Sequence, residues 1–174
     1  MAEDITLNGF KGNMKDAARP NRFWVTITGN MAGAAFDNTI SFFIKTFSMP
    51  ARTVGEIVVN YQGMQTKIAG DPTFDDVTMT LWNDYDFKAK KFFEAWLEGF
   101  VTIGTDGANV RLDPASYKAE IKVEQLGRDG SPIATYELQG AYPKQMDAIE
   151  LSHESTDTLE ELSISFGYDF FKVL

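Results

Sequence analysis

The sequence predicts a mainly β fold, a sandwich or barrel flanked by a single α-helix, and three observations carry that reading. Apolar residues alternate with polar ones at period two in segment after segment, turn chemistry recurs at short intervals, and only one stretch has helical spacing. The 174 residues are 44% hydrophobic and 13% aromatic, enough to bury a core in one domain spanning 1–174.

Residues 1–20 show no period and are expected to form an irregular arm, with Gly9, Gly12, Asn13 and Pro20 scattered among charges. From Asn21 the pattern changes. Phe23, Val25 and Ile27 alternate with Arg22, Trp24, Thr26 and Thr28 up to Gly29-Asn30, which predicts a strand. MAGAAFDN reads as a loop. Thr39 to Phe47 reads as a strand apolar on both faces, with Ile40, Phe42 and Ile44 on one and Phe43 and Phe47 on the other.

SMPARTVG, with Pro50 and Gly55, reads as a loop, and EIVVNYQGMQTKIAG as two strands turning at Gln62-Gly63. In the first of these, Ile57, Val59 and Tyr61 oppose Glu56, Val58, Asn60 and Gln62, so one face is apolar. DPTFDDVTMTLWND adds a strand with Val77, Met79 and Leu81 on one side. DYDFKAKKFFEAWLEGF is the helix, with Asp84 or Asp86 as N-cap and Gly99 as C-cap.

TIGTDGANVRLDPASY reads as a loop. A hairpin follows, Ala119, Ile121 and Val123 alternating with charges before GRDG turns into IATYEL. A strand from Pro143 to near Leu151, a turn at HESTD, and a last strand carrying Leu162, Ile164, Phe166, Tyr168 and Phe170 close the chain.

Charge and composition exclude several functions. Sixteen basic against 25 acidic residues leave a formal charge of −9, which repels nucleic-acid phosphates, so any DNA contact is expected to be non-adhesive. No cysteine is present for disulfides or thiolate metal sites. The chain lacks a signal-peptide pattern and an apolar run of the roughly 18 residues that a spanning helix requires, so the expectation is a soluble protein made in a cytoplasm.

Catalytic material is scarce. His153 is the only base for a nucleophilic triad, and it sits in a polar turn. Asp71, Asp75 and Asp76 cluster, but alternation sends the last two to opposite faces without the spacing of a calcium loop. GTDG and GRDG lack the Lys and helix start of a phosphate loop. Trp82, Trp96 and the fourteen Phe lie on strand and helix faces without interleaved basic residues, which predicts core or interface rather than base stacking. Lys88, Lys90 and Lys91 read as a solvated helix face. No enzyme, cofactor or metal is expected. Long β runs with apolar faces instead suggest a self-associating protein, because exposed strand edges invite pairing with another chain.

The ordered set SFFIKTFSMPARTVGEIVVNYQGMQTKIAGDPTFDDVTMTLWND, FFEAW, EQLGRDG and AYPKQMDAIELSHESTDTLEELSISFGYDFF resembles the tail tube proteins of contractile-tailed bacteriophages, over nearly the whole chain from Asn21 to Phe171. The resemblance implies a β-sandwich or partial barrel with a flanking helix, assembled as a homo-oligomer in stacked hexameric rings. Strands of all six subunits would join one ring-wide β-barrel around a lumen. It further implies a sheath protein, baseplate and tail terminator proteins as partners, and a tape measure protein and DNA passing through the lumen without specific binding. It implies no membrane partner. The place of work would be the virion tail, assembled in the host bacterial cytoplasm. Related tubes occur in type VI secretion, tailocins and extracellular injection systems.

On this sequence the inter-ring loop corresponds to Ser48, Met49, Pro50, Ala51, Arg52, Thr53, Val54 and Gly55, and the ribbon Glu56 to Ala69 to the lumen wall. Ile57, Val59 and Tyr61 are then expected to face the subunit's own core, and Glu56, Asn60, Gln62 and Gln65 the bore or a ring contact. Alternative readings are a baseplate tube-initiator, a tailocin or secretion tube, and, from another class, a ligand-binding β-barrel.

Overall fold

The computed structural model describes residues 7–14, 18–103, 109–111 and 113–174. In chain order the elements are α1 (Leu7–Asn13), β1 (Phe23–Gly29), a 3-10 turn (Ile40–Phe43), β2 (Ile44–Phe47), β3 (Arg52–Tyr61), β4 (Met64–Phe74), β5 (Val77–Trp82) and α2 (Lys88–Phe100). After these come β6 (Val101–Ile103), β7 (Asn109–Arg111), α3 (Pro114–Tyr117), β8 (Ala119–Leu126), β9 (Pro132–Met146), β10 (Glu161–Gly167) and β11 (Phe170–Val173). Part of the expected arm is thus the short helix α1, while 1–6 and 15–17 lie outside the described residues, as does GTDG.

One antiparallel sheet organises the molecule in the order β1-β8-β9-β10-β5-β2, with β11 continuing beside β9. Its buried face is read straight from alternation: Val25 and Ile27 on β1, Ile121 and Val123 on β8, Leu162, Ile164 and Phe166 on β10, and Val77, Met79 and Leu81 on β5. The sheet curls over this one core. At its two ends the 3-10 turn reaches β1, where Ser41 Oγ donates to the Val25 carbonyl at 2.6 Å. A groove of about 330 Å³ lies between Phe23 of β1 and Phe47 of β2, so the curl is a partial barrel.

Helix α2 packs its Ala89, Phe92, Phe93 and Trp96 stripe onto the core. Phe93 and Trp96 meet Phe166 at ring distances of 5.9 and 6.2 Å, and the Trp96 indole N–H donates to the Tyr117 carbonyl at 2.8 Å. Of the two acids expected to start the helix, Asp84 accepts the Lys88 N–H at 2.8 Å. Gly99 is not a C-cap. It lies inside α2, where a Cβ would come within 2.4 Å of Ala32 Cβ, so its role is to let the helix approach the loop after β1.

Three strands differ from expectation. Ile40–Phe43 is a 3-10 turn because Asp37 and Asn38 offer local bonds: the Asp37 carboxylate accepts from Thr39 N at 2.9 Å and its carbonyl from Ile40 N at 2.9 Å. The Thr39 backbone N–H also holds the Asp37 carboxyl below its ordinary value. Strand β9 runs unbroken through Gly140 and Pro143 to Met146, rather than ending and restarting. Pro143 is accommodated because it lies beyond Ala141, where pairing with β8 ends, and at a register shift against β10. The last strand is interrupted at Tyr168-Asp169, yet β10 and β11 keep one register against β9, from Gly167↔Tyr142 to Phe170↔Gln139. Within 102–117, expected as loop, β6 and β7 pair antiparallel, Val101↔Arg111 to Ile103↔Asn109, and α3 follows.

Candidate assembly interface

Among the described residues, strands β3 and β4 pair only with each other and form a ribbon separate from the main sheet. Gln62 (φ 47°) and Gly63 (φ 82°) form its tip, the left-handed pair of a tight two-residue hairpin, as the sequence predicts. In an antiparallel pair, directly opposed residues share a face. Ile57↔Ile68, Val59↔Thr66 and Tyr61↔Met64 therefore make an apolar face, and Glu56↔Ala69, Val58↔Lys67 and Asn60↔Gln65 a polar one.

Every residue of β3 is exposed. Ile57, Val59 and Tyr61 are 53%, 42% and 71% accessible, which overturns the expectation that they face the subunit's own core. Alternation reports that the two faces differ, and among the described residues no element covers the apolar one. Met64 and Ile68 complete that face and were missed by reading β3 alone. The two-residue turn held the signal, since it fixes Tyr61 opposite Met64.

An isolated two-stranded ribbon is marginal in water, so its attachment decides its geometry. The root is aromatic. The Arg52 guanidinium lies 5.5 Å from the Phe74 ring and 5.0 Å from that of Phe171, and Phe74 meets Phe171 and Tyr168 at 5.8 and 6.0 Å. Burial, with Asp75 and Asp76 nearby, pushes the Tyr168 phenol above its ordinary value.

Only the first half of the expected inter-ring loop is a loop. Ser48 extends the β2–β5 ladder, its N–H donating to the Thr78 carbonyl at 2.9 Å while its Oγ accepts from Thr78 N at 2.6 Å. Met49 lines the groove between β1 and β2, Pro50 is half-buried, and the Ala51 carbonyl faces the Tyr168 hydroxyl at 3.5 Å. Arg52, Thr53, Val54 and Gly55 instead open β3, with a register shift between Val54 and Glu56. Proline ends the loop's freedom earlier than glycine suggested.

Among the four residues expected at a bore or ring contact, Glu56, Asn60 and Gln65 share the polar face, where Glu56 pairs with Lys67 at 3.0 Å. Gln62 is apart from them at the tip, its amide donating to the Tyr61 hydroxyl at 3.3 Å. Of the acids at the β4 to β5 junction, Asp76 pairs with Lys144 at 2.6 Å, which raises the Lys144 ammonium's pKa. His153 is exposed in the 147–160 loop. Among the described residues no helix is long and apolar enough to cross a membrane.

Comparison with known proteins gives this geometry a family. A family model described as phage tail tube protein matches residues 18–174. Tail tube protein gp19 of Enterobacteria phage T4 is 28% identical over 158 residues, covering 90% of this chain and 92% of that protein. The tail tube protein of Serratia phage KSP90 is 25% identical over 168 residues, 94% of each. Among solved structures, a chain of the anti-feeding prophage baseplate superposes with a TM-score of 0.69 at 15% identity, covering 92% of this chain and 97% of that one. A chain of the sheath–tube complex of an extracellular contractile injection system gives 0.62 at 14%, covering 92% and 93%. These two likenesses are of fold. The chain belongs to the phage tail tube protein family, whose members are structural components of the virion tail and not enzymes.

Proposed function

We propose that this protein assembles into hexameric rings that stack into the inner tube of a contractile tail, the conduit through which DNA reaches the host. The observation that carries the reading is the β3–β4 ribbon, apolar on one face, polar on the other, and anchored to its own subunit at the root. Such a ribbon is stable only when neighbours cover the apolar face. Pairing of ribbons side by side places their polar faces, with Glu56, Asn60 and Gln65, toward a common bore. Among the described residues the outer edges of β1 and β2 pair with no further strand, and they offer further ladder sites within a ring.

The charge balance supports the conduit. With −9 per subunit, a wall of this protein repels phosphates and lets DNA and a tape measure protein pass without sticking. A sheath protein outside the tube, and baseplate and tail terminator proteins at its ends, are the partners this role requires. Electron microscopy of the purified protein, alone and with baseplates, is expected to show rings or hollow tubes. Monodisperse monomer under all conditions, with no incorporation into tails, would sink the proposal.

A further inference from the structure

Two short connectors join the β3–β4 ribbon to the sheet. Ser48 is still bonded to Thr78 of β5, so residues 49–51 lead into β3, and Asp75-Asp76 separate β4 from β5. Among the described residues, no backbone hydrogen bond ties 49–76 to the rest of the chain. An arm carried on two connectors of this kind has one soft motion, a change in the angle at which it leaves the sheet. Side chains at its root have to set that angle.

Arg52 and Phe74 form the first rung of the ribbon, directly opposed across its two strands. Phe171 belongs to the sheet, where it pairs with Leu138 of β9, meets the Tyr136 ring at 6.2 Å and packs against the core. The Arg52 guanidinium bridges the two rings, 5.5 Å from the centroid of Phe74 and 5.0 Å from that of Phe171. One cation thus holds a ring of the ribbon and a ring of the sheet together.

Arg52 takes these rings in preference to a carboxylate. Asp75 and Asp76 follow Phe74 directly, yet Asp76 pairs with Lys144, and Arg52 forms no ion pair among the described residues. A guanidinium suits the place because it is planar, weakly hydrated and stacks on aromatic faces. Arg52 is itself exposed, so the interior of the subunit does not depend on it. Its contacts bear on the orientation of the ribbon.

We propose that Arg52 is a clamp that fixes the angle of the ribbon in the free subunit, so that a ring closes from ribbons already aimed at their neighbours. This rests on the reading in which ribbons join subunits within a ring, and adds to it a positioning residue that acts inside its own subunit. A ribbon that samples many angles offers a neighbour the competent one for only part of the time. Apparent affinity falls by that fraction.

The test uses the absence of cysteine, which allows spin labels to be placed at chosen sites: Asn60→Cys on the ribbon and Glu120→Cys on β8, both exposed. Pulsed electron paramagnetic resonance on free subunits, below the concentration at which tubes form, is expected to give one narrow distance distribution. Adding Arg52→Gln or Phe171→Leu is expected to widen it about twofold, and the two together no further than the stronger of them, because both break one contact. In unlabelled chains each change is expected to raise the protein concentration needed for tubes about tenfold. Arg52→Gln is expected to melt within about 2 °C of the parent, as a change at an exposed position does, so it carries the test whatever Phe171→Leu does to the fold. A distribution unchanged by Arg52→Gln would overturn the clamp, with or without loss of tubes. A widened distribution with tubes forming at the parent concentration would overturn its part in assembly. A parent protein that forms neither rings nor tubes, while Arg52→Gln still widens the distribution, would overturn the ring reading and leave the clamp as a property of the free subunit.

Discussion

The curled sheet and the β3–β4 ribbon are built from the same kinds of residue and meet opposite fates. In the sheet, alternating Val, Ile, Leu and Phe side chains reach zero exposure because α2 and the facing strands enclose them. In the ribbon, Ile57, Val59 and Ile68 alternate as cleanly and remain open to water. Period-two patterning therefore specifies which face is to be covered, and the covering partner has to be sought separately. For the sheet it is the chain itself; for the ribbon we propose a neighbouring copy.

Truncating the sheet's core is expected to have the largest effect. Trp96→Ala or Phe166→Ala removes a fully buried ring from the α2–β10 contact and is expected to cost the isolated subunit about 3–5 kcal/mol in denaturant unfolding, abolishing assembly with it. Gly140→Ala comes next. Gly140 has φ 67°, and a Cβ there would fall 2.2 Å from Asp169 Oδ2, an oxygen pinned by Lys118 at 2.7 Å. A loss of about 1–3 kcal/mol is expected by the same measurement.

Ribbon substitutions invert this order of consequences. Ile57→Asp with Val59→Asp is expected to change subunit stability by only about 0.5 kcal/mol, the scale of exposed positions, while eliminating tubes in electron micrographs. A change above 2 kcal/mol would mean that the ribbon packs on its own subunit after all. The smallest effect is expected from Glu56→Ala. Its pair with Lys67 is half-exposed on both sides, so subunit stability should fall by less than about 1 kcal/mol and tubes should persist.

Much of this was legible in the sequence where local chemistry decides. The Gln62-Gly63 and GRDG turns, the buried sides of β1, β5 and β8, and the Phe92, Phe93, Trp96 stripe follow from turn residues and period. Less legible were places where distant contacts override local preference. Gly99 looked like a helix end because the approach of Ala32 was invisible, and Pro143 looked like a strand start because the end of β8 pairing was. Ile40–Phe43 looked extended because Ile40, Phe42, Phe43 and Ile44 put apolar groups on both faces, which outweighed the Asp37-Asn38 turn in front of them. The candidate interface was half legible: the ribbon's position and its polar residues could be named, but Ile57, Val59 and Tyr61 were assigned to an interior that their own chain does not supply.

Hydrogen exchange across residues 52–74, compared between free subunits and assembled tubes, tests the central claim most directly. The ribbon is expected to exchange among the fastest paired segments in the free subunit and to become protected to the level of β8 and β9 in the tube. Equal exchange in the two states, with the sheet protected in both, would contradict it.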